Sequence, residues 1–94
     1  MTFELKYEER VVRKEIPKLP KKMRWQIQRD IEKKLTTFPE IFGKPLRKSL
    51  KGHRRLRVGD YRVIFRIEGD IVKIFKIGHR SIVYKDLISK MINS

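Results

Sequence analysis

The segment of residues 51–62, KGHRRLRVGDYR, constrains the fold of this chain more than any other. Its Gly59-Asp60 pair predicts a tight turn between two strands, because glycine supplies the positive φ that such a reversal needs. Side chains alternate between the two faces of a strand, so Arg55 and Arg57 share one face and the apolar residues beside them share the other. The segment therefore predicts a β-ribbon with one apolar face and one cationic face.

The cationic face of this ribbon indicates a binding site for a polyanion. Arg62, Ile64 and Arg66 share a face of the second strand, and the hairpin register is expected to set them beside Arg55 and Arg57 on an open face. Like charges on one sheet face repel each other and do not stabilise the fold by themselves. A guanidinium keeps its proton at physiological pH and presents a planar fork of donors that fits a phosphate group. We therefore interpret the cluster as functional and not as a solvated edge.

The chain has 94 residues and a net charge of +14, and this charge is unevenly distributed. Residues 1–43 carry 11 Lys and Arg against 7 Asp and Glu, whereas residues 44–94 carry 14 against 4. Such a field attracts phosphate backbones and makes any binding strongly dependent on salt. An acidic protein or an anionic membrane would be attracted by the same field, so charge alone does not decide the partner.

Composition also excludes several classes of protein. The absence of cysteine excludes disulfides and thiolate metal sites, and it is compatible with a reducing compartment. No apolar stretch approaches the roughly 20 residues that a membrane-spanning helix needs, and the N-terminus lacks a signal-peptide core. We expect one domain, residues 1–94, in a soluble cytoplasmic protein that has no membrane partner.

Hydrophobic periodicity predicts a two-layer α+β fold, in which a helical hairpin packs under a mainly antiparallel four-stranded sheet. Residues 2–7 alternate apolar and polar side chains and are expected to form the N-terminal strand. Residues 8–17 predict the first helix, which Pro17 ends. The second helix follows Pro20 and has an apolar stripe made of Met23, Ile27, Ile31 and Leu35. The antiparallel meander is predicted at about residues 53–58, 61–67 and 71–77.

Two further segments have weaker patterns. Residues 38–50 contain two prolines and a glycine and are interpreted as an irregular loop without a regular element. Residues 85–93 have apolar side chains at helical spacing and predict a short terminal helix. These side chains contact either the core or a partner, and the sequence leaves both interpretations open: Leu87, Ile88, Met91 and Ile92.

A second group of chemically active residues lies in GHRSIVY, residues 78–84, just after a predicted strand. His79 provides an imidazole, Arg80 a fixed cation and Tyr84 a weakly acidic hydroxyl, and together these groups suit phosphodiester chemistry. A lone histidine is more often a surface or capping residue, and a tyrosine beside apolar neighbours is more often part of the packing. Both interpretations stay open at this point.

The remaining candidate residues favour structural roles. Trp25 is interpreted as packing against Phe38, Phe42 or the first helix, although an exposed stacking platform is the alternative. His53 is interpreted as a residue at the start of a strand and not as a ligand. The spacing of His, Asp and Glu fits no metal site, and the chain has no glycine-rich phosphate loop, no Ser/His/Asp arrangement and no dinucleotide fingerprint. We therefore expect neither a metal nor a cofactor.

The order of these motifs resembles that of the RelE/ParE superfamily of small toxins from toxin–antitoxin pairs, over nearly the whole chain. The resemblance is carried by KPLRKSLKGHRRLRVGDYRVIF and IFKIGHRSIVY, which follow a strand and a helical hairpin. It implies a type II toxin that an acidic antitoxin, encoded adjacently, holds silent. In the RelE branch it also implies an endoribonuclease that cleaves messenger RNA in the ribosome and so inhibits translation.

The resemblance also implies a set of site residues. The positions that match the catalytic surface of the RelE branch are Arg55, Arg57, Arg62, His79, Arg80 and Tyr84. Basic residues on and beside the ribbon are the expected RNA contacts, namely Lys44, Arg47, Lys48, Lys51, Arg54 and Arg66. The implied reaction is metal-independent: the ribose 2′-OH attacks the adjacent phosphorus and leaves a 2′,3′-cyclic phosphate and a 5′-OH.

The sequence departs from the RelE pattern at one point and leaves two alternative functions open. RelE-type sites can carry lysines where this chain has Arg55 and Arg57, and arginine is the poorer proton acceptor because a guanidinium keeps its proton at physiological pH. The ParE branch shares the fold and acts on DNA gyrase, and it needs no RNA-cleaving surface. A non-catalytic nucleic-acid-binding protein is the second alternative. Arg80 and Tyr84, together with the strand arginines, favour the RelE branch.

Overall fold

A five-stranded sheet forms the centre of the fold in a computed structural model that describes residues 2–92. The strand order is β1-β5-β4-β3-β2, with β1 parallel to β5 and the other neighbours antiparallel. The strands are β1 Glu4–Tyr7, β2 Lys44–Pro45, β3 Arg54–Val58, β4 Tyr61–Glu68 and β5 Ile71–His79. The predicted α+β class and the N-terminal strand as a member of a mainly antiparallel sheet are confirmed. The predicted number of four strands is wrong, because the two-residue strand β2 adds a fifth at the edge beside β3.

The helical hairpin is also confirmed, and it covers one face of the sheet. Its first arm, the N-terminal helical segment, is π-helical over Val11–Glu15 and ends in a 3₁₀ turn, Ile16–Lys18. Its second arm is α1, Lys21–Asp30, which continues as a π-helical turn, Ile31–Leu35. The apolar stripe of this second arm is directed into the main core, where Ile27, Ile31 and Leu35 are buried against the sheet.

The opposite face of the sheet carries a second, smaller core. The C-terminal helix α3, Val83–Ile92, lies across this face, and Asn93 of the predicted helix lies outside the described residues. Ile64 is fully buried there by Leu87 and its neighbours. The expectation of an open face along the whole of β4 is therefore wrong, because α3 covers its middle. Leu87 belongs to this core, whereas Ile92 is exposed.

The segment interpreted as an irregular loop contains three short regular elements, and that interpretation is corrected here. These elements are α2 Pro39–Phe42, strand β2 and the 3₁₀ turn Lys48–Leu50. Gly43 is needed between them because a Cβ there would lie 2.1 Å from Cζ of Phe65. Elements of two to four residues are too short to produce a recognisable hydrophobic period, so the sequence pattern missed them.

The buried carboxylate of Glu15 joins the helical hairpin to a part of β5 where no strand pairs with that edge. The paired register of β5 and β4 skips Phe75, which marks a β-bulge, and β1 accompanies β5 only as far as Ile74. Beyond this point Glu15 takes the place of a neighbouring strand. Its Oε1 accepts a hydrogen bond from the Ile77 amide at 2.9 Å, and its Oε2 lies 2.7 Å from Nζ of Lys76. An edge donor and a buried ammonium are thereby both satisfied.

We predict that Glu15→Ala strongly destabilises the fold, because it leaves Lys76 buried without its main counter-charge and Ile77 without an acceptor. Breaking a buried pair typically costs about 3–5 kcal/mol. Glu9→Ala is the matched control, since Glu9 pairs with Arg13 at an exposed position of the same segment and is expected to change stability by less than about 1 kcal/mol. Urea unfolding of both variants measures the difference, and equal losses would contradict the assignment.

His53 lies just before β3, and its side chain is buried. Its ring contacts the edge of Phe75 at 5.1 Å between centroids, and its Nδ1 has no hydrogen-bond partner among the described residues. Burial lowers the pKa of His53, and the nearby cations Arg66 and Lys90 lower it further, against the raising effects of the Leu50 carbonyl and Glu8. The folded state therefore favours the neutral ring.

Stability is predicted to fall as the pH drops below about 6.5, the ordinary pKa of histidine. Below this pH the unfolded chain binds a proton at His53, whereas the buried ring in the folded state binds it less readily. Protonation therefore stabilises the unfolded state relative to the folded state. His53→Gln should flatten this slope of the unfolding free energy between about pH 7 and 5. His79→Gln is the control, because it removes the other histidine and leaves His53 in place. An unchanged slope in His53→Gln would refute the prediction.

Candidate nucleic-acid interface

A cleft at the end of the sheet brings together most of the predicted catalytic residues. It lies where β4 begins and β5 ends, beside the first turn of α3, and its volume is about 410 Å³. Its lining residues are Arg55, Arg62, His79, Arg80, Ser81 and Tyr84. Three of these six side chains are arginines, so the cleft is suited to an anion.

Two of the strand arginines are set side by side by the β3–β4 hairpin. Arg57 and Arg62 are direct cross-strand partners, and Arg57 is exposed next to the cleft and does not line it. The guanidinium of Arg62 donates from Nη1 to the carbonyls of Gly59 at 3.0 Å and Tyr61 at 2.9 Å. These acceptors are neutral, so they orient Arg62 without cancelling its charge, and the pair remains available to an anion.

Arg80 is held at the cleft by the turn that joins β3 to β4. Its backbone amide donates to the carbonyl of Asp60 at 2.8 Å, which fixes the main chain. The Nε of Arg80 also lies 3.5 Å from Oδ1 of Asp60, but the side chain of Arg80 is 63% exposed and that of Asp60 is 71% exposed. An exposed pair of this kind contributes little stability, and a phosphate group can replace the carboxylate without a large cost.

Ser81 fixes the orientation of His79. Its hydroxyl lies 2.8 Å from Nδ1 of the ring, and its backbone amide donates to the same nitrogen at 3.2 Å. With Nδ1 acting as acceptor, the neutral ring carries its proton on Nε2 and presents that nitrogen to an external partner. The sequence analysis did not select Ser81, although a serine two residues after a histidine at a strand end is a recognisable local hydrogen-bonding pattern.

Tyr84 reaches the cleft because α3 is packed on the sheet. Its hydroxyl accepts a hydrogen bond from Nη1 of Arg55 at 3.3 Å, across 29 residues of sequence. Its ring packs against the small core around Ile64, so it serves both the core and the cleft. The packing interpretation of Tyr84 is therefore confirmed, and a role of its hydroxyl in phosphodiester chemistry stays a prediction.

The predicted RNA contacts fall in three places. Lys44 is the cross-strand partner of Arg55 at the sheet edge, and the basic side chains of the following segment are exposed, namely Arg47, Lys48 and Lys51. Arg54 points to the other face, where its Nη1 donates to the carbonyl of Gly43 at 2.9 Å. Arg66 is separated from the cleft by the covered Ile64 and lies 3.9 Å from a carboxylate oxygen of Glu68. Their roles in RNA binding stay predictions.

A second cavity, of about 250 Å³, lies inside the helical hairpin and has a different character. Most of its lining is aliphatic. Burial raises the pKa of Tyr7 there, and the negative charge of Glu32 raises it further. The lining also includes Arg24, whose Nη2 already donates to the carbonyls of Pro17 at 3.0 Å and Leu19 at 3.3 Å. A mostly aliphatic lining that also holds the carboxylate of Glu32 is unsuited to a phosphate chain, so we place the candidate site at the cleft and not here.

Two further features concern the described part of the chain as a whole. Within residues 2–92, His, Asp and Glu side chains form no group of three that could hold a metal ion, and no helix is both long and apolar enough to span a bilayer.

Trp25 is 64% exposed and lies beside the guanidinium of Arg29, whose carbon is 5.4 Å from the ring centroid. The interpretation of Trp25 as a packed residue is therefore wrong.

Solved structures that share this fold include a toxin and a chain of a toxin–antitoxin complex. A chain of the toxin–antitoxin complex RelBE2 from Mycobacterium tuberculosis is 28% identical, with a TM-score of 0.79 over 86% of this chain and 94% of that one. The toxin RelE from E. coli, in a form with two arginines replaced by alanine, is 19% identical, with a TM-score of 0.66 over 96% and 98% of the two chains. YafQ from E. coli is 17% identical, with a TM-score of 0.51 over 85% and 96%.

The sequence itself identifies the family. Residues 9–84 match the family described as the ParE toxin of type II toxin–antitoxin systems, and this chain belongs to that family. The match covers both the helical hairpin and the arginine-bearing strands, so the resemblance to the RelE/ParE superfamily is confirmed. No curated protein matches the sequence significantly.

The covered Ile64 separates Arg66 from the cleft that Arg62 lines, so we predict different roles for these two arginines of β4. We expect Arg62→Ala to weaken binding of a short RNA with 2′-O-methyl sugars and to lower the slope of log K against log salt by about 0.7, the value for one phosphate contact. Arg66→Ala is the matched control, because it removes the same charge from the same strand beyond Ile64. Fluorescence anisotropy at several salt concentrations measures both. Equal losses in the two variants would contradict the separation.

Proposed function

We propose that this toxin is a metal-independent endoribonuclease that cleaves messenger RNA in the ribosome and thereby inhibits translation. The observation that carries the proposal is the convergence of Arg55, Arg62 and Arg80 with His79 and Tyr84 around one open cleft. A gyrase-directed toxin or a plain nucleic-acid binder does not require a histidine and a tyrosine among phosphate-binding groups. Transesterification by an RNA 2′-OH requires both charge stabilisation and proton transfer.

The arginines supply the charge stabilisation. Arg62 and Arg80 are directed to the scissile phosphate, where their donors stabilise the negative charge that grows on the nonbridging oxygens during attack. Arg62 is held in place by two carbonyls, so its orientation needs little rearrangement when RNA binds. Arg57 faces Arg62 across the strands and holds the neighbouring backbone. These charges repel each other in the free protein, and a bound phosphate relieves this repulsion.

Proton transfer completes the step. The 2′-OH loses its proton to water in the open cleft as its oxygen bonds to phosphorus, and the departing 5′ oxygen gains a proton from Tyr84 as its bond to phosphorus breaks; the proton released to water then restores the tyrosine. Tyr84 accepts a hydrogen bond from Arg55 and keeps its own O–H for the leaving oxygen. His79 is held through Nδ1 by Ser81 and donates a hydrogen bond from Nε2 to the phosphate. The products are a 2′,3′-cyclic phosphate and a 5′-OH.

The natural partner in this proposal is an acidic antitoxin, encoded beside the toxin. A chain of similar fold occurs in the toxin–antitoxin complex RelBE2, which supports a protein partner for this chain as well. The charge of +14 and the uncompensated arginines favour an acidic segment across the cleft. Such a segment would exclude RNA from the cleft, which accounts for a silent state.

One observation favours a second candidate function. The matching family is described as the ParE toxin. A resemblance to the ParE branch implies inhibition of DNA gyrase. This candidate predicts inhibited supercoiling by purified gyrase and intact messenger RNA. The ribonuclease proposal predicts the reverse, so assaying both reactions with one preparation separates the two.

We predict that Arg62→Ala and Arg80→Ala each lower the rate of cleavage of ribosome-bound messenger RNA by about 10² to 10³, the usual effect of losing one donor to a developing charge. Tyr84→Phe should also slow cleavage, because it removes the hydroxyl proton and keeps the ring in the small core. Treating the toxin with EDTA, and removing the chelator before the toxin meets the ribosomes, should leave the wild-type rate unchanged. Mapping of the RNA ends and of their terminal phosphates measures the rate and the chemistry together.

Arg66→Ala is the control in this assay, since it removes a strand arginine outside the cleft. Full cleavage by all three cleft variants would refute the assignment of the site. Absence of cleavage by the wild type, combined with inhibited supercoiling, would replace the ribonuclease proposal by the gyrase alternative. A 5′-phosphate on the downstream product would exclude attack by the 2′-OH.

A further inference from the structure

A second groove adjoins the cleft, on the side of the helical hairpin. It has a volume of about 300 Å³ and lies between the N-terminal helical segment, the end of β5 and the start of α3. His79 lines both the groove and the cleft, and therefore forms the boundary between them. A chain that leaves the cleft past His79 can enter the groove directly.

The groove has basic residues that the fold does not use. Lys14 and Lys18 project from the N-terminal helical segment, are exposed, and form no hydrogen bond or ion pair within residues 2–92. The acids nearby are already engaged: Glu15 is buried against Lys76, and Asp86 lies 3.8 Å from the same ammonium. The free charge of the groove is therefore positive.

Next to these lysines the groove offers apolar and aromatic surface. Tyr61 is partly exposed and contacts the ring of His79 edge to face, at 5.5 Å between centroids and an angle of 86°. Ile82 is 51% exposed on the other side of the groove. Ring and aliphatic surface beside unpaired lysines is the combination with which proteins bind single-stranded nucleic acid.

We propose that this groove is a second RNA subsite, which holds the strand where it continues beyond the scissile phosphate. Lys14 and Lys18 bind backbone phosphates, and a base packs against Tyr61 and Ile82. The inference rests on the proposed function for its substrate class. An acidic peptide would also meet the lysines, but continuity with the cleft through His79 and the surface of Tyr61 favour a nucleotide chain.

The test compares RNAs of different length on the full chain. The probes are a short 2′-O-methyl RNA that fills the cleft and the same RNA extended on its 5′ or its 3′ side. Extension on one side should raise the affinity of the wild type. Lys14→Ala/Lys18→Ala should remove this gain and lower the salt slope for the extended RNA by about 1.4, the value for two phosphates of a single strand.

Lys21→Ala/Lys22→Ala is the matched control, because it removes two exposed lysines of α1 that do not line the groove. It should retain the gain from extension. The inference is overturned if extension raises no affinity, if both double variants lose it equally, or if Lys14→Ala/Lys18→Ala weakens only the complex with the acidic antitoxin. Binding needs no cleavage, so the gain can be present in a toxin that fails the cleavage assay, which separates this inference from the proposed reaction.

Discussion

Burial of both faces of β4 is the constraint on which the rest of the structure depends. Val63 and Phe65 enter the main core under the helical hairpin, and Ile64 enters the smaller core under α3, all three without exposure to solvent. A central strand that is apolar on both sides needs a cover on both sides. Because α3 covers only the middle of the second face, the arginines at its end remain outside. The same packing brings Tyr84 to Arg55.

The placement of charge follows a clear division between structure and site. Where charge is buried it is paired, as Glu15 is with Lys76, and this pair replaces the missing strand at the edge of β5. At the cleft the arginines meet only carbonyls, a hydroxyl and one exposed carboxylate, Asp60. Concentrated like charge costs stability in the free protein and favours a bound polyanion. The uncompensated charge of the cleft thus lies where a ligand can neutralise it.

The sequence predicted the regular elements with long hydrophobic periods and missed those defined by contacts. The hairpin, the meander and the N-terminal strand were predicted because each repeats an apolar position several times. The short elements of residues 38–50 repeat nothing, and Gly43 is required there only by the ring of Phe65. Trp25 was misassigned because a single aromatic on a helix has no period. The candidate site residues were selected from strand alternation, side-chain chemistry and motif resemblance, whereas Ser81 joins them through a local contact with His79.

The sequence by itself determined the class of fold, the family and the cationic character of one sheet face, because alternation, turn residues and net charge are local properties that can be counted along the chain. Only the tertiary structure decided which arginines lie together. Arg62 and Arg66 are equivalent by alternation on β4, yet the packing of α3 on Ile64 divides them and leaves Arg62 with Arg80 and Tyr84. Such a division depends on how distant segments pack, and no local pattern records it.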